Sequence, residues 1–362
     1  MPKDIFKDSV ILITGGTGSW GSELVSQLLS KHCPREIRIY SRGEHKQVEM
    51  KRRFQGKPIK YVIGDVRDRD RLVSATTGVD YIFHLAALKH VPVCEENPWE
   101  AVQTNIVGTQ NAIDAALINK AKKFIDVSTD KAVDPFNLYG VTKCCGEKLV
   151  VAANLNDTKT RFVCVRGGNV LGTNGSVVPL FIEQIRRLNE ITVTHPEMSR
   201  FMMRVQDAVS LLLFASERSY GGEIFVMKMP ASKILDLAYV MIDKFGNENT
   251  KVKYIGMRPG EKIYEVLVSK YEMPHTLEFG DYFVILPQIK IEGVAEHYRG
   301  KKPPKKLLEE FNSNNAHVMT KEEIEKLLEV DGWSDVNRVD SDMKNVETNL
   351  LKNLARSEGW GK

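Results

Sequence analysis

The stretch Val10-Ile-Leu-Ile-Thr-Gly-Gly-Thr-Gly-Ser-Trp-Gly21 decides the fold of this chain. A short β-branched run ends directly in closely spaced glycines, which is typical of a buried parallel strand that enters a tight turn. Glu23–Leu29 then follows a helical pattern. Gly15, Gly18 and Gly21 let backbone N–H groups approach a pyrophosphate at the start of that helix. The order of strand, loop and helix predicts a dinucleotide-binding unit; the alternative is a structural turn without a ligand.

Further apolar runs alternate with helix-like stretches along the first half of the chain. The runs lie at Ile37–Tyr40, Ile59–Ile63, Tyr81–Leu85, Phe124–Val127 and Phe162–Val165. Helical patterns separate most of them, for example over Trp99–Ile118 and Tyr139–Ala153. Strands that alternate with helices imply right-handed crossovers. We therefore predict a Rossmann-like, doubly wound parallel sheet of the α/β class.

The alternation loosens after about Asn169, where longer loops contain several prolines. We predict an NADP-binding Rossmann domain over residues 1–170, which also receives strands and helices from later segments. A smaller mixed α/β substrate-binding lobe is predicted over 171–300, and a charged helical tail over 301–362. Within the tail, Lys321–Leu328 and Asp342–Leu354 have helical patterns, and the tail is expected to pack on the body or on a neighbouring molecule.

The composition excludes several functional classes. The chain has 362 residues, of which 42% are hydrophobic, and this is enough for a sizeable core. The net charge is only +4 and no long basic block is present, so we expect no nucleic-acid partner. No apolar run has the length of a membrane span or a signal peptide. The five cysteines have no metal-site spacing, so we expect reduced thiols, no metal and a cytoplasmic location.

The end of the second predicted strand bears on the choice between NAD and NADP. Enzymes that use NAD usually have a carboxylate there, which binds the ribose hydroxyls. This chain has Ser41 and Arg42, with Lys46 shortly after, and the two cations suit a 2′-phosphate. We predict NADP; the alternative is a solvated basic turn. Asp65, which precedes Val66 after the third strand, is expected to accept a hydrogen bond from the adenine amine or to cap the next helix.

A set of polar residues follows the fifth predicted strand and begins the next long helix. Thr129, Asp130 and Lys131 end the strand, where the crevice of an open α/β sheet lies. Tyr139 and Lys143 are four residues apart and share one helix face. The ammonium of Lys143 is expected to lower the pKa of Tyr139, which makes the phenolate a usable base for a sugar hydroxyl. The alternative is a plain surface pair.

Taken together, the motifs resemble the extended short-chain dehydrogenases, and within them the UDP-N-acetylglucosamine 4,6-dehydratases that invert C5. The resemblance covers about Ser9 to Lys290. Its motifs are Thr-Gly-Gly-Thr-Gly-Ser-Trp-Gly (14–21), Ala-Ala-Leu-Lys-His-Val-Pro (86–92), Ser-Thr-Asp-Lys-Ala (128–132), Asn-Leu-Tyr-Gly-Val-Thr-Lys (137–143), Gly-Asn-Val (168–170), Gly-Ser-Val-Val-Pro (175–179), Met-Ser-Arg-Phe (198–201), Gly-Gly-Glu-Ile-Phe-Val (221–226) and Arg-Pro-Gly-Glu-Lys (258–262).

The resemblance implies a reaction. Tyr139, aided by Lys143, takes the proton of the sugar C4 hydroxyl while NADP accepts the C4 hydride. A neutral Lys131 removes the proton at C5, and a protonated Asp130 helps the C6 hydroxyl leave as water. The hydride returns to C6 and C5 is reprotonated on the opposite face, so NADP stays tightly bound and is recycled.

Lys143 and the oxidised nicotinamide are expected to lower the pKa of Lys131. Similar dehydratases that retain C5 typically have Asp-Glu at these two positions, so Lys131 indicates the inverting subgroup.

The resemblance also implies which residues bind the cofactor and the UDP-sugar. The cofactor residues are Gly15, Thr17, Gly18, Ser19, Trp20, Gly21, Ser41, Arg42, Lys46, Asp65, Val66, Ala86, Ala87, Lys89, Tyr139 and Lys143. The substrate residues are Lys89, His90, Asn169, Val177, Arg200, Arg258 and Glu261. Arg200 and Arg258 are expected to pair with the diphosphate, because the planar guanidinium matches phosphate oxygens. Glu261 is expected to bind the uridine ribose or to orient Arg258, and the alternative for Arg200 is a surface salt bridge.

Two positions depart from the family pattern. Gly167 stands where the family usually has Tyr, and this is expected to loosen the strand end. Asn174 stands where the family usually has Arg, which removes a positive charge from the substrate loop. Two other functions stay open: a UDP-N-acetyl-hexosamine C4 epimerase and a non-catalytic NADP-binding protein. The family also suggests a homo-oligomer, either a dimer or a hexamer.

Overall fold

A nine-stranded sheet forms the centre of the fold. The computed structural model describes residues 4–156, 159–173, 176–304 and 309–333. In chain order, the strands of this sheet are β1 (Val10–Thr14), β2 (Glu36–Ser41), β3 (Ile59–Ile63), β4 (Tyr81–His84), β5 (Lys123–Thr129), β6 (Arg161–Gly167), β10 (Ile224–Met227), β14 (Thr276–Phe279) and β15 (Tyr282–Ile285). Their spatial order is β14-β15-β10-β6-β5-β4-β1-β2-β3. The seven strands from β10 to β3 run parallel, while β15 and β14 continue the sheet in antiparallel pairing.

Helices cover both faces of this sheet. They are α1 (Ser19–Lys31), α2 (Glu44–Arg53), α3 (Arg69–Ala75), α4 (Val91–Glu96), α5 (Pro98–Val102), α6 (Gly108–Ile118), α7 (Leu138–Ala152) and α9 (Val205–Arg218). Side chains of α1, α2 and α9 pack with Ile11 and Ile13 on one face. Side chains of α3, α6 and α7 pack with Leu12 on the other. Successive strand residues point to opposite faces, both of which are covered, so all five residues of β1 are buried; four are apolar and the last is Thr14.

A smaller group of elements forms a lobe beside the carboxyl ends of the strands. Its strands are β7 (Asn169–Val170), β8 (Glu190–Val193), β9 (Ser199–Met203), β11 (Ala231–Lys233), β12 (Lys251–Tyr254), β13 (Val266–Val268) and β16 (Phe311–Asn312). Its helices are α8 (Val177–Leu188), α10 (Ile234–Phe245) and α12 (Lys321–Val330), whereas the short helix α11 (Val294–His297) packs on the face of the large sheet that carries α1, α2 and α9. Strands β11, β9 and β7 form one sheet, and β12–β8 and β13–β16 form two more. A separate hydrophobic core joins α8, α10 and α12.

The predicted fold class is confirmed, with three refinements. The predicted helix Trp99–Ile118 contains a π-helical turn over Gln103–Val107, between α5 and α6. Residues 171–300 contribute β10, β14 and β15 to the large sheet. The tail contributes α12 and β16 to the body, so part of it packs on its own chain. The predicted helix Asp342–Leu354 lies outside the described residues.

Candidate functional site

The predicted phosphate loop lies between β1 and α1, against the end of β4. Gly15 has a φ of +65°, and a Cβ there would lie 2.9 Å from the backbone of Ala86. A Cβ on Gly21 would overlap the carbonyl group of Gly16, so the loop needs glycine at both positions. Gly18 is the N-cap of α1 and brings no side chain to the first N–H groups of the helix. These N–H groups are the kind of donor that binds a phosphate.

The end of β2 places two basic side chains on the surface beside this loop. Arg42 and Lys46 are both exposed, and Arg42 lies 3.8 Å from the carboxylate of Asp65. Burial acts to raise the pKa of Asp65, but its hydrogen bonds to Arg67 hold that pKa below its usual value. Asp68, not Asp65, caps α3 by accepting the backbone N–H of the third helical residue. The capping role expected of Asp65 is therefore wrong, because Asp68 stands directly before the helix.

The turn after β5 joins three of the predicted catalytic residues. The hydroxyl of Thr129 donates to Asp130 Oδ1 at 2.8 Å, and Lys131 Nζ donates to the same oxygen at 3.0 Å. Asp130 is fully buried on a 3₁₀ turn that packs against the start of α7. A Cβ on Gly140 would overlap the carbonyl oxygen of Lys131, so this glycine lets α7 begin against the turn. Tyr139 is thereby brought beside Lys131 and Asp130.

A buried ion pair lies below Tyr139. Lys143 Nζ lies 3.2 Å from Asp126 Oδ2 and 3.4 Å from Oδ1, and both side chains are almost fully buried. Burial opposes the charge of Lys143, but Asp126 and Tyr139 together hold its pKa above the usual value. Burial also raises the pKa of Tyr139 by more than Lys143 and Lys131 lower it. The expected lowering of the Tyr139 pKa is therefore wrong for this structure, because the burial of the phenol outweighs the charges of the two lysines.

Lys131 has two carboxylates around its ammonium group. Besides Asp130, Glu265 Oε1 lies 3.7 Å from Lys131 Nζ. Burial acts to lower the pKa of Lys131, but the two carboxylates outweigh it and the pKa is raised. The expected lowering is wrong for this structure because Lys131 faces these anions, and Lys143 is occupied by Asp126.

The segment of residues 258–265 encloses the catalytic turn from the lobe side. Lys262 Nζ donates to the carbonyl oxygens of Val133 at 3.0 Å and Asp134 at 2.6 Å. Asn137 caps α7 with its side-chain oxygen and donates its amide N–H to the carbonyl of Gly260 at 2.8 Å. Glu265, at the end of this segment, contacts the turn through its ion pair with Lys131. The site is therefore built from the end of β5, the start of α7 and a segment more than 100 residues away.

Comparison with known proteins agrees with this geometry. A family model described as polysaccharide biosynthesis protein matches residues 11–287. The chain belongs to this family. A protein of Methanocaldococcus jannaschii described as an uncharacterized membrane protein is 46% identical over 333 residues, which are 90% of this chain and 96% of that protein. UDP-glucose 4-epimerase of Rickettsia canadensis is 41% identical over 347 residues, 94% of this chain and 100% of that enzyme.

Solved structures share this fold. Pen from Bacillus thuringiensis superposes with a TM-score of 0.83 at 42% identity, over 90% of this chain and 98% of that chain. DesIV of Streptomyces venezuelae, a dTDP-glucose 4,6-dehydratase with NAD bound, has a TM-score of 0.67 at 20% identity, over 80% of this chain and 97% of that chain. The second likeness shows the fold alone. The family resemblance predicted from the motifs is confirmed.

One of these relatives is described as a membrane protein. Among the residues that the structure describes, none of the helices combines the length and the apolar composition that a bilayer crossing requires.

The two arginines predicted to bind the diphosphate have different environments. Arg258 is exposed, and its backbone N–H donates to Glu261 at 3.1 Å, so Glu261 orders the loop that presents Arg258. Arg200 is buried, and its guanidinium donates to the carbonyl oxygens of Ser199, Lys262 and Ile263. The diphosphate contact expected of Arg200 is not supported, because these bonds hold the guanidinium inside the lobe. The surface salt bridge considered as its alternative is excluded by the same burial.

The other predicted substrate residues lie in the loop after β4 and in the lobe. His90 is the N-cap of α4 and follows Lys89 in the exposed loop after β4. Partial desolvation lowers the pKa of both side chains, and the charge of Lys89 lowers that of His90 further. Asn169 lies on β7 and Val177 begins α8. Asn174 lies outside the described residues.

Sequence reasoning missed three buried polar residues that shape the site. Asn105, in the π-helical turn, donates to the carbonyl of Leu88 and to Thr142 on α7, and accepts the N–H of Leu88. It thereby joins the loop of Lys89 and His90 to the catalytic helix. Asp126 and Glu265 were missed as well. A charged residue inside the apolar run Phe124–Val127 was the available indication for Asp126, whereas nothing local indicated Glu265.

Gly167 does not loosen the end of β6. The strand continues through Gly167, which pairs with Thr129 of β5. A Cβ at this position would lie 3.0 Å from Cη2 of Trp20, the second residue of α1. The expected loosening is wrong because the parallel pairing holds the strand end, and the indole of Trp20 takes the space beside it.

Proposed function

We propose that this protein is a UDP-N-acetylglucosamine 4,6-dehydratase that inverts C5. The observation that supports the proposal is the Lys131–Asp130 pair, with 3.0 Å between Nζ and Oδ1, beside Tyr139. A C4 epimerase needs a base for the C4 hydroxyl, but it needs neither a base for C5 nor an acid for C6. A dehydratase needs all three groups, and the three side chains have the required chemistry.

The residues around the phosphate loop fit a nicotinamide dinucleotide, and we propose NADP, tightly bound and recycled. The helix N-terminus behind Gly18 suits the pyrophosphate, and the exposed Arg42 and Lys46 suit a 2′-phosphate. The NAD found with DesIV makes NAD the alternative. When bound, the cofactor supplies a hydride acceptor for the C4 position and returns the hydride to C6.

The chain's own residues supply the proton transfers. Tyr139 takes the proton from the C4 hydroxyl. Lys131 passes a proton to Asp130 along their hydrogen bond, which leaves a neutral amine and a carboxylic acid without changing the charge of the pair. The amine then removes the C5 proton, and the acid protonates the departing C6 hydroxyl, which leaves as water. Arg258, the exposed arginine of the enclosing segment, is proposed to bind the diphosphate.

The experiment follows the product of purified protein with UDP-N-acetylglucosamine in deuterated water by NMR. We expect loss of the C6 hydroxyl, a methyl group in its place and deuterium at C5. Lys131→Ala is expected to lower this turnover at least about 100-fold, the usual range for a lost acid–base group. Lys326→Ala, which changes an exposed lysine of α12, serves as the control.

A second candidate is a UDP-sugar C4 epimerase, because a 41% identical relative is named UDP-glucose 4-epimerase. In that case the NMR product is a C4 epimer that keeps its C6 hydroxyl, with UDP-glucose tested as a parallel substrate. Lys131→Ala would then leave epimerisation largely intact. That pair of results would contradict the proposed dehydration. A homo-oligomeric state, as a dimer or a hexamer, and a cytoplasmic location stay predictions.

A further inference from the structure

Glu265 is an acidic residue at the catalytic turn for which the proposed reaction has no role. It lies directly before β13, and its side chain is almost fully buried between Lys131 and Arg200. Its Oε1 lies 3.7 Å from Lys131 Nζ and 3.7 Å from Arg200 Nε. Its backbone N–H donates to Ser313 at 3.0 Å, which fixes the start of β13. The carboxyl group therefore has a defined place beside the proposed base.

Two carboxylate oxygens of this cluster have no hydrogen-bond partner. Among the described residues, neither Glu265 Oε2 nor Asp130 Oδ2 receives a hydrogen bond, and both atoms are buried. A buried anionic oxygen without a donor is costly, and the cost falls when the group is a neutral acid. Two neighbouring carboxyl groups that share a site also repel each other when both are charged. The geometry thus favours a proton on one of the two.

The charged groups facing Glu265 come from three elements. Lys131 and Asp130 lie on the turn after β5, Arg200 on β9, and Lys262 on the enclosing segment. Burial is the largest influence and raises the pKa of Glu265, and Asp130 raises it as well. Lys131, Arg200 and Lys262 act in the opposite direction but do not cancel the rise. Asp130 Oδ1 accepts hydrogen bonds from Thr129 and Lys131, which stabilise its anion. The nitrogens of Lys131 and Arg200 lie 3.7 Å from Glu265 Oε1, beyond hydrogen-bond distance, so the geometry favours the proton on Glu265.

We propose that Glu265 is a positioning residue for the Lys131–Asp130 pair and that it works as an uncharged carboxylic acid. An anionic Glu265 would hold Lys131 as an ammonium between two carboxylates. With Glu265 neutral, only Asp130 attracts the ammonium, and the proton can move from Lys131 Nζ to Asp130 Oδ1. Glu265 keeps its own proton throughout. The inference rests on the proposed function, because only dehydration needs a neutral Lys131.

The first test is the protonation state itself, which does not depend on the reaction. Infrared difference spectra of wild type against Glu265→Gln at neutral pH should contain the C=O stretch of a buried carboxylic acid in the wild type alone. Absence of that band overturns the inference whatever reaction the protein performs. If Glu265→Gln does not fold, as judged by circular dichroism, Glu265→Met replaces it, since Met is neutral and of similar length.

The second test is the pH dependence of turnover. Wild type should lose turnover as rising pH removes the proton from Glu265, since Lys131 is then held as an ammonium. Glu265→Gln cannot ionise, so it should stay active at neutral pH and move the basic limb upward by about one pH unit or more. Glu197→Gln, an exposed glutamate paired with Lys233, should leave the profile unchanged.

Two results of the kinetic test count against Glu265 as a neutral acid. One is a loss of about 100-fold or more in Glu265→Gln with its fold and cofactor binding intact, which would mean that the negative charge is required. The other is a pH profile of turnover in which the basic limb of Glu265→Gln lies at the same pH as that of the wild type. A wild type that forms no C6-deoxy product instead contradicts the proposed function, and the infrared result then decides the state of Glu265 separately.

Discussion

At the scale of single residues, Gly167 and Trp20 form a complementary pair. The parallel pairing of Gly167 with Thr129 needs no special backbone conformation, so another residue could adopt it. What excludes a larger side chain is the indole of Trp20, 3.0 Å from the place of a Cβ. The absence of an aromatic residue at 167 is therefore balanced by a large ring at the start of α1, and the two positions are expected to be energetically coupled.

Gly167→Tyr should lower the free energy of unfolding by about 1–3 kcal/mol, the usual cost of overpacking a tight site. Trp20→Ala in the same chain should recover part of that loss, because it opens the space that the new ring requires. Urea unfolding of the two single variants and the double variant gives the coupling, expected at about 0.5–3 kcal/mol. Strict additivity of the two changes would show that the side chains do not compete for space.

At the scale of elements, α12 anchors part of the tail to the lobe. Thr320 and Glu323 form a capping box at its start, which the Thr-Lys-Glu-Glu sequence makes possible. Ile324 and Leu328 face the core shared with α8 and α10, and Trp333 packs on Gly172 after the helix ends. Side chains between 319 and 333 are thus part of the lobe's core, next to the loop that precedes α8.

Leu328→Ala should lower the free energy of unfolding by about 2–5 kcal/mol, because Leu328 is fully buried and its loss leaves a cavity. Val330→Ala, two residues along and 59% exposed, should change it by no more than about 0.5 kcal/mol. Denaturant unfolding of both variants measures the difference. Equal effects would mean that α12 does not contribute to the core.

At the scale of the whole molecule, a row of polar residues crosses the central sheet. Thr14, His84, Asp126 and Cys164 lie side by side on β1, β4, β5 and β6. His84 forms a hydrogen bond with Thr14 through Nδ1 at 2.9 Å and another with Thr109 through Nε2 at 3.3 Å. Asp126 connects the row to Lys143. The row links the strand before the phosphate loop with the catalytic helix.

This row makes stability sensitive to acid. Burial lowers the pKa of His84 to about 4 from 6.5; Asp126 opposes the shift and Lys143 adds to it. The unfolded chain therefore binds this proton more readily than the folded one. The contribution of the neutral His84 imidazole to the free energy of unfolding is fully present above pH 6.5 and is lost as the pH falls through 4. The total loss is about 3 kcal/mol.

Urea unfolding of wild type and His84→Gln between pH 7 and pH 4 tests this dependence. The wild type should lose stability more steeply with falling pH, because the variant has no imidazole to protonate. Parallel pH curves for the two proteins would contradict the assignment of the effect to His84.

Local spacing was sufficient for much of the site. The glycine loop, the residues at the end of β5 and the Tyr139–Lys143 pair were all predicted, because each depends on neighbours within one turn or one strand end. The pKa values of Tyr139 and Lys131 were not predicted correctly. The pKa of Tyr139 depends on its burial, and that of Lys131 depends on Asp130 and on Glu265, which belongs to a segment more than 100 residues away in the chain.

The sequence by itself determined the α/β order, the phosphate loop at the start and the family of this protein, because periodicity and motif spacing are local properties. Only the tertiary structure decided that Lys143 is paired inside the sheet, that Arg200 is held by carbonyl oxygens, and that part of the tail belongs to the lobe. Charge and burial depend on which distant residues meet, and folding alone brings Glu265 to Lys131.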